Sequence, residues 1–126
     1  MPLRRQTRPS LIRVVSPSAS ANLFLYQAKT TSNAGYPGDG FLLWNDISQI
    51  SATVLNISHL TDNNIDIDIF LGLIDEGESI VIQSQVSSAA YQTYLVNGTP
   101  THVNPGAADA YWSYPVTLTA SGGEGT

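Results

Sequence analysis

Cysteine is absent, so neither a disulfide framework nor a thiolate metal site is open to this chain, and composition leaves its redox compartment undetermined. Charge is scarce too: 12% of residues are charged, against roughly 25% in an ordinary soluble domain. A surface so rich in Ser, Thr, Asn and Gln suits a protein that meets neighbours. Long hydrophobic runs are missing as well. The uncharged stretch Ile47 to Thr61 is interleaved with Ser, Gln, Asn and His and is too polar to span a bilayer, so no membrane helix is expected. Nor is an export signal, because Arg13 interrupts the apolar cluster Leu11 to Val15. No internal repeat, Gly-X-Y run or heptad is present, which excludes a collagen stalk or a coiled coil within these residues.

What is present is segregated. The chain has 126 residues, enough for one domain with a real core, and a net charge of −5. Its five cations, Arg4, Arg5, Arg8, Arg13 and Lys29, all precede residue 30, and its ten acids, from Asp39 to Glu124, all follow it. Two parts are therefore expected: an extended basic N-terminal arm over residues 1–22 and an acidic β domain over residues 23–126. Pro2, Pro9 and Pro17 oppose helix in the arm, and Leu11, Ile12, Val14 and Val15 could add a strand to another sheet. Its docking charges would be Arg4, Arg5, Arg8 and Arg13. Their target would be the acidic body of a neighbouring copy, another acidic protein surface or a phosphate backbone. Nucleic acid ranks last, since the arm has no Lys cluster or interleaved aromatics and the body would repel phosphate.

From Asn22 the pattern is one of short strands. LFLYQAK alternates, with Phe24 and Tyr26 on one face and Leu23, Leu25 and Gln27 on the other. A Pro/Gly loop, SNAGYPGDG, leads to FLLWN; Ala52 to Ile57 and Ile80 to Ile82 give further strands. Between those last two, Ile67, Phe70, Leu71 and Ile74 fall at i, i+3, i+4 and i+7. That spacing predicts a short helix over about residues 66–76, capped by Asp66 and ended by a left-handed Gly77. AAYQTYLV, the turn Asn97-Gly98 with Thr101 to Val103 as its returning strand, and YWSYPVTLT complete the chain. The fold class expected is mainly β, an antiparallel sandwich or barrel with one short helix.

Chemistry is sparse. Asp62, Asn64, Asp66 and Asp68 stand two apart, as calcium ligands can. A helix-loop-helix calcium site, however, needs Gly where Ile67 stands and a bidentate acid where Leu73 stands. No metal and no cofactor are expected. His59 and His102 are the only imidazoles, and no nucleophile elbow, phosphate loop or paired His accompanies them, so no catalytic residue is assigned. Trp44, Tyr91, Tyr94, Tyr111 and Trp112, with Tyr114, are candidate interface or core aromatics, or a platform for sugar, because each combines large area with a polar handle.

Taken in order, YQAKTTS, PGDGFLLWND, SATVLNISHLTDNNIDIDIFLGLIDEGESIVIQ, AAYQTYLVNGTPT and YWSYPVTLTASGGEGT resemble a domain of virion structural proteins from tailed bacteriophages. The likeness covers roughly the last hundred residues. It implies a non-enzymatic β domain used in tail fibres and as head fibre or decoration modules, commonly as homotrimers. With no stalk and no second domain after SGGEGT, a capsid decoration or cement subunit is expected before a complete tail fibre. Its arm would then dock on the major capsid protein, or on a tail hub protein if it is a tail adaptor, and it would reside on the virion. A carbohydrate-binding module is the alternative outside the virion class.

Overall fold

The computed structural model describes residues 9–15, 22–84 and 89–123, with residues 9–15 and 22–23 described by their backbone alone. Eight strands form: β1 (Pro9–Val15), β2 (Asn22–Lys29), β3 (Phe41–Trp44), β4 (Val54–Ser58), β5 (Ser79–Ser84), β6 (Tyr91–Val96), β7 (Thr101–Val103) and β8 (Tyr111–Gly122). A 3-10 turn, Gln49–Ser51, precedes β4, and α1 (Asp68–Gly72), the one α-helix among the described residues, follows it. The fold is mainly β, as the alternating pattern predicts.

Strand pairing closes on itself. The order β4-β3-β2-β1-β5-β6-β8 is completed by a second β4–β8 pairing, so seven strands make a ring and β7 lies beside the first part of β8. Every pairing is antiparallel except β2 with β3. A parallel neighbour requires the chain to travel back along the barrel before it re-enters the sheet, and residues 30–40 make that return. Their last residue, Gly40, has φ +79°, and a Cβ there would stand 3.0 Å from the Cα of Asp62. Only glycine allows both that conformation and that approach.

Tyr26, Leu42, Trp44, Leu55, Ile57, Ile80, Ile82, Tyr94, Val96, Tyr114 and Val116 point inward and fill the barrel. Leu43 and Asn56, opposite each other in the β3–β4 register, are buried on the outer side, where Nδ2 of Asn56 donates to the carbonyl of Gly35 at 3.0 Å. The return segment therefore covers that outer face. Between β6 and β8 the register slips at Thr93/Tyr94, and the hydroxyl of Thr119 donates to the carbonyl of Thr93 at 3.0 Å across the bulge.

Three expectations need correcting. The helix is shorter than residues 66–76: bonds from Leu73 N to Phe70 O and from Ile74 N to Leu71 O tighten its end, and Gly77, at φ +96°, turns the chain into β5 instead. Asp66 stands one residue before the N-cap, Ile67, which makes no side-chain cap bond; from there its carboxylate accepts the Asp68 N–H at 3.0 Å. Asn97-Gly98 makes no hairpin. The Asn97 N–H bonds to Pro115 O, and Thr101–Val103 then pairs with Tyr111–Ser113 of β8, because β6 has already taken the later part of that edge. Lastly, residues 9–15 lie inside the ring, with Ile12 opposite Phe24 of β2 on one edge and Ile82 of β5 on the other. This part of the expected arm is barrel wall. Among the described residues, no helix is long and apolar enough to cross a membrane.

Candidate functional site

Of the residues expected to dock a partner, Arg4, Arg5 and Arg8 lie outside the described residues. Leu11, Ile12, Arg13, Val14 and Val15 belong to β1, whose backbone is paired on both sides, so that strand has no edge left to lend to another sheet. Trp44 and Tyr94 are core rather than interface, being 2% and 0% exposed. The indole N–H of Trp44 donates to Oε1 of Gln92 at 2.9 Å, and the amide of Gln92 donates in turn to Oε1 of Gln49 at 2.6 Å. At 2% exposed, Trp44 offers no open face on which a sugar could stack. Tyr91, Tyr111 and Trp112 are half-buried.

Three core tyrosines tie the ends of the barrel to its wall. Tyr26 donates to the Ser58 carbonyl at 2.6 Å, Tyr94 to the Gln49 carbonyl at 2.7 Å and Tyr114 to the Leu71 carbonyl at 2.5 Å. Burial pushes Tyr94 up to about 12. It also holds Tyr26 and Tyr114 well above the ordinary value of 10.0, helped by the charge of Asp66 for Tyr26 and, for Tyr114, by Tyr26 and Asp68.

The end of the barrel that carries α1 is the more unusual one. Ile67, Leu71 and Ile74 are buried, while Ile69, Leu73, Ile65 and Phe70 remain 82%, 65%, 54% and 47% exposed. Ile69 and Leu73 are four apart, hence neighbours on the outer side of the turn, and Phe70 touches Phe24 with ring centroids 5.4 Å apart. Trp112 backs the helix: a Cβ on Gly72 would stand 3.1 Å from its ring, and its N–H donates to Oδ1 of Asp68 at 3.1 Å. His102 stacks on Trp112 with centroids 4.3 Å apart, and its Nε2 lies 2.9 Å from Oδ1 of Asp68, off the axis of a hydrogen bond. When protonated, this imidazole forms an ion pair with Asp68. The result is an apolar surface backed by Trp112 and flanked by the carboxylates of Asp66 and Asp68.

Those carboxylates do not converge. Asp62 accepts from Nε2 of Gln27, Asp66 from the Asp68 amide and Asp68 from Trp112. Among the described residues no three His, Cys, Asp or Glu side chains are grouped to hold a metal ion.

At the opposite end a half-open cleft of about 270 Å³ lies between Lys29, Thr31, Asn33, Trp44, Asp46 and Ile47. Its lining sets one cation, Lys29, and one acid, Asp46, beside apolar surface from Trp44 and Ile47.

Searches of family signatures, of curated proteins and of solved structures find nothing that matches this chain. The α1 surface was missed by sequence reasoning, which placed Phe70 on the buried face. A signal was available. Residues 65–74 hold more apolar side chains than one face of a single helical turn can bury.

Proposed function

We propose that this protein is a non-catalytic structural subunit of a tailed-phage virion, a decoration or cement protein of the head that assembles through contacts with neighbouring protein. The observation that carries this reading is the exposed apolar surface on α1, where Ile69 and Leu73 are 82% and 65% exposed. Contiguous apolar surface on a stable barrel marks a place where another protein sits. The order of sequence segments from Tyr26 to Thr126, which resembles phage virion domains, supports the particle as the setting. The cationic residues before Pro9 supply a fastening segment, and a subunit that binds only the assembled lattice stabilises it by mass action.

Immunolabelling of intact particles tests the reading. Label distributed over the head supports decoration, label confined to the tail favours a tail fibre or adaptor subunit, and unlabelled particles overturn the virion assignment.

A further inference from the structure

We propose that the α1 surface is the acceptor for residues 1–8 of a second copy, so that subunits join head to tail. The proposal rests on the reading above only in taking the leader as a fastening segment. Three independent observations support it.

The first is direction. Val14 lies opposite Asn22 and Val15 opposite Ser79, so β1 finishes near α1, while Pro9 lies opposite Gln27 and Ser10 opposite Ser84. The chain thus enters β1 about 20 Å from where it leaves it, with Pro9 toward the end of the barrel that holds Lys29. A subunit's own α1 surface lies at the far end of β1 from Pro9. A neighbour's can lie ahead.

The second is charge. From Asp62 to Glu78 the chain has six carboxylates and no Lys or Arg, whereas residues 1–8, MPLRRQTR, have three arginines and no acid. Asp75 and Glu76 are exposed, and the Asp66 side chain is 62% exposed. Two copies meeting α1 to α1 would bring those carboxylates together, so a symmetric contact is disfavoured where a leader is favoured.

The third is the apolar surface itself. Ile69, Phe70 and Leu73 offer a seat for an aliphatic residue, and Leu3 stands directly before the Arg4-Arg5 pair. An extended leader can seat Leu3 there with its arginines on the flanking acids. A contact between two different patches is heterologous, and its rotation decides whether copies close into a ring or run on as a chain.

Sedimentation of purified protein tests this with two variants. One lacks residues 2–8, which precede the first strand; the other carries Ile69→Ser and Leu73→Ser, both at exposed positions. Unchanged thermal midpoints establish that each is folded. The full chain is expected to self-associate and to weaken with added salt. Each variant alone should associate about 100-fold or more weakly. An equimolar mixture should form a one-to-one dimer that grows no further, since one variant supplies the leader and the other the acceptor. A full chain that stays monomeric, a leaderless protein that associates normally or a mixture that gains no dimer would overturn the proposal. A leaderless protein that still self-associates but no longer binds particles would move the leader's acceptor to the capsid lattice, overturning this inference while leaving the decoration reading intact.

Discussion

The phenol of Tyr114 donates across the barrel end to the carbonyl of Leu71 at 2.5 Å, joining residues 43 positions apart. That bond ties the wall to the helix whose outer side is exposed. Leu71 O also accepts from Ile74 N at 3.2 Å, so removing the phenol does not orphan the carbonyl. Tyr114→Phe is expected to cost about 0.5–1.5 kcal/mol in urea unfolding. Faster amide exchange should accompany it, concentrated in residues 68–74. Uniformly faster exchange would show that the bond supports the whole barrel rather than its end.

Alkaline pH should destabilise the fold in a defined direction. Tyr94 is pushed from 10.0 to about 12 in the folded chain, and Tyr26 and Tyr114 are raised as well. Between the unfolded and folded values, the folded state binds more protons than the unfolded state. The stabilisation is therefore complete below pH 10 and is lost as pH rises through about 12. Urea titrations from neutral to alkaline pH should show the midpoint falling across that window, more shallowly in Tyr94→Phe. A midpoint unchanged across it would contradict the burial of these phenols.

Two glycines separate backbone strain from close approach. Gly40 and Gly77 both have positive φ, but a Cβ at Gly40 meets the Asp62 backbone at 3.0 Å while one at Gly77 meets nothing within 4 Å. Gly77→Ala should cost about 1 kcal/mol from strain alone, and Gly40→Ala about 2–3 kcal/mol or more. Equal costs by chemical denaturation would remove the argument that the return segment packs tightly at Gly40.

Trp44→Ala should behave as a core deletion. The indole is 2% exposed and holds the Gln92 side chain, so its loss is expected to cost about 3–5 kcal/mol and to release the Gln49 turn. Thermal unfolding gives the cost. A Trp44→Ala protein of normal stability that had lost binding to a glycan would restore the platform reading rejected above.

The strands were legible because their buried residues alternate, as Ile80 and Ile82 or Tyr94 and Val96 do. Partner choice was not legible. Leu11 to Val15 reads as a strand, but nothing local says that it belongs between Leu23 and Val81, the residues opposite Arg13 on its two sides. The parallel β2–β3 step was hidden for the same reason, since Gly35, Gly38 and Gly40 announce a loop without saying where it returns. At the candidate site, the predicted spacing found Ile67, Leu71 and Ile74 correctly. It assigned Phe70 to the same buried set, although Phe70 is 47% exposed and lies against Phe24. Helical periodicity identifies which side chains share a face, and only the surrounding wall decides how much of that face is covered.

Ring closure has a further consequence for a chain in which only 12% of residues carry charge. Open sheets commonly deter aggregation with lysines or prolines along their outermost strands. Here, among the described residues, each strand of the ring has a partner on both sides over part of its length, and the three-residue β7 pairs on one side alone. Amyloid-type templating therefore meets short hydrogen-bonding rows in place of a long open edge, so strand pairing opposes it where charge is scarce.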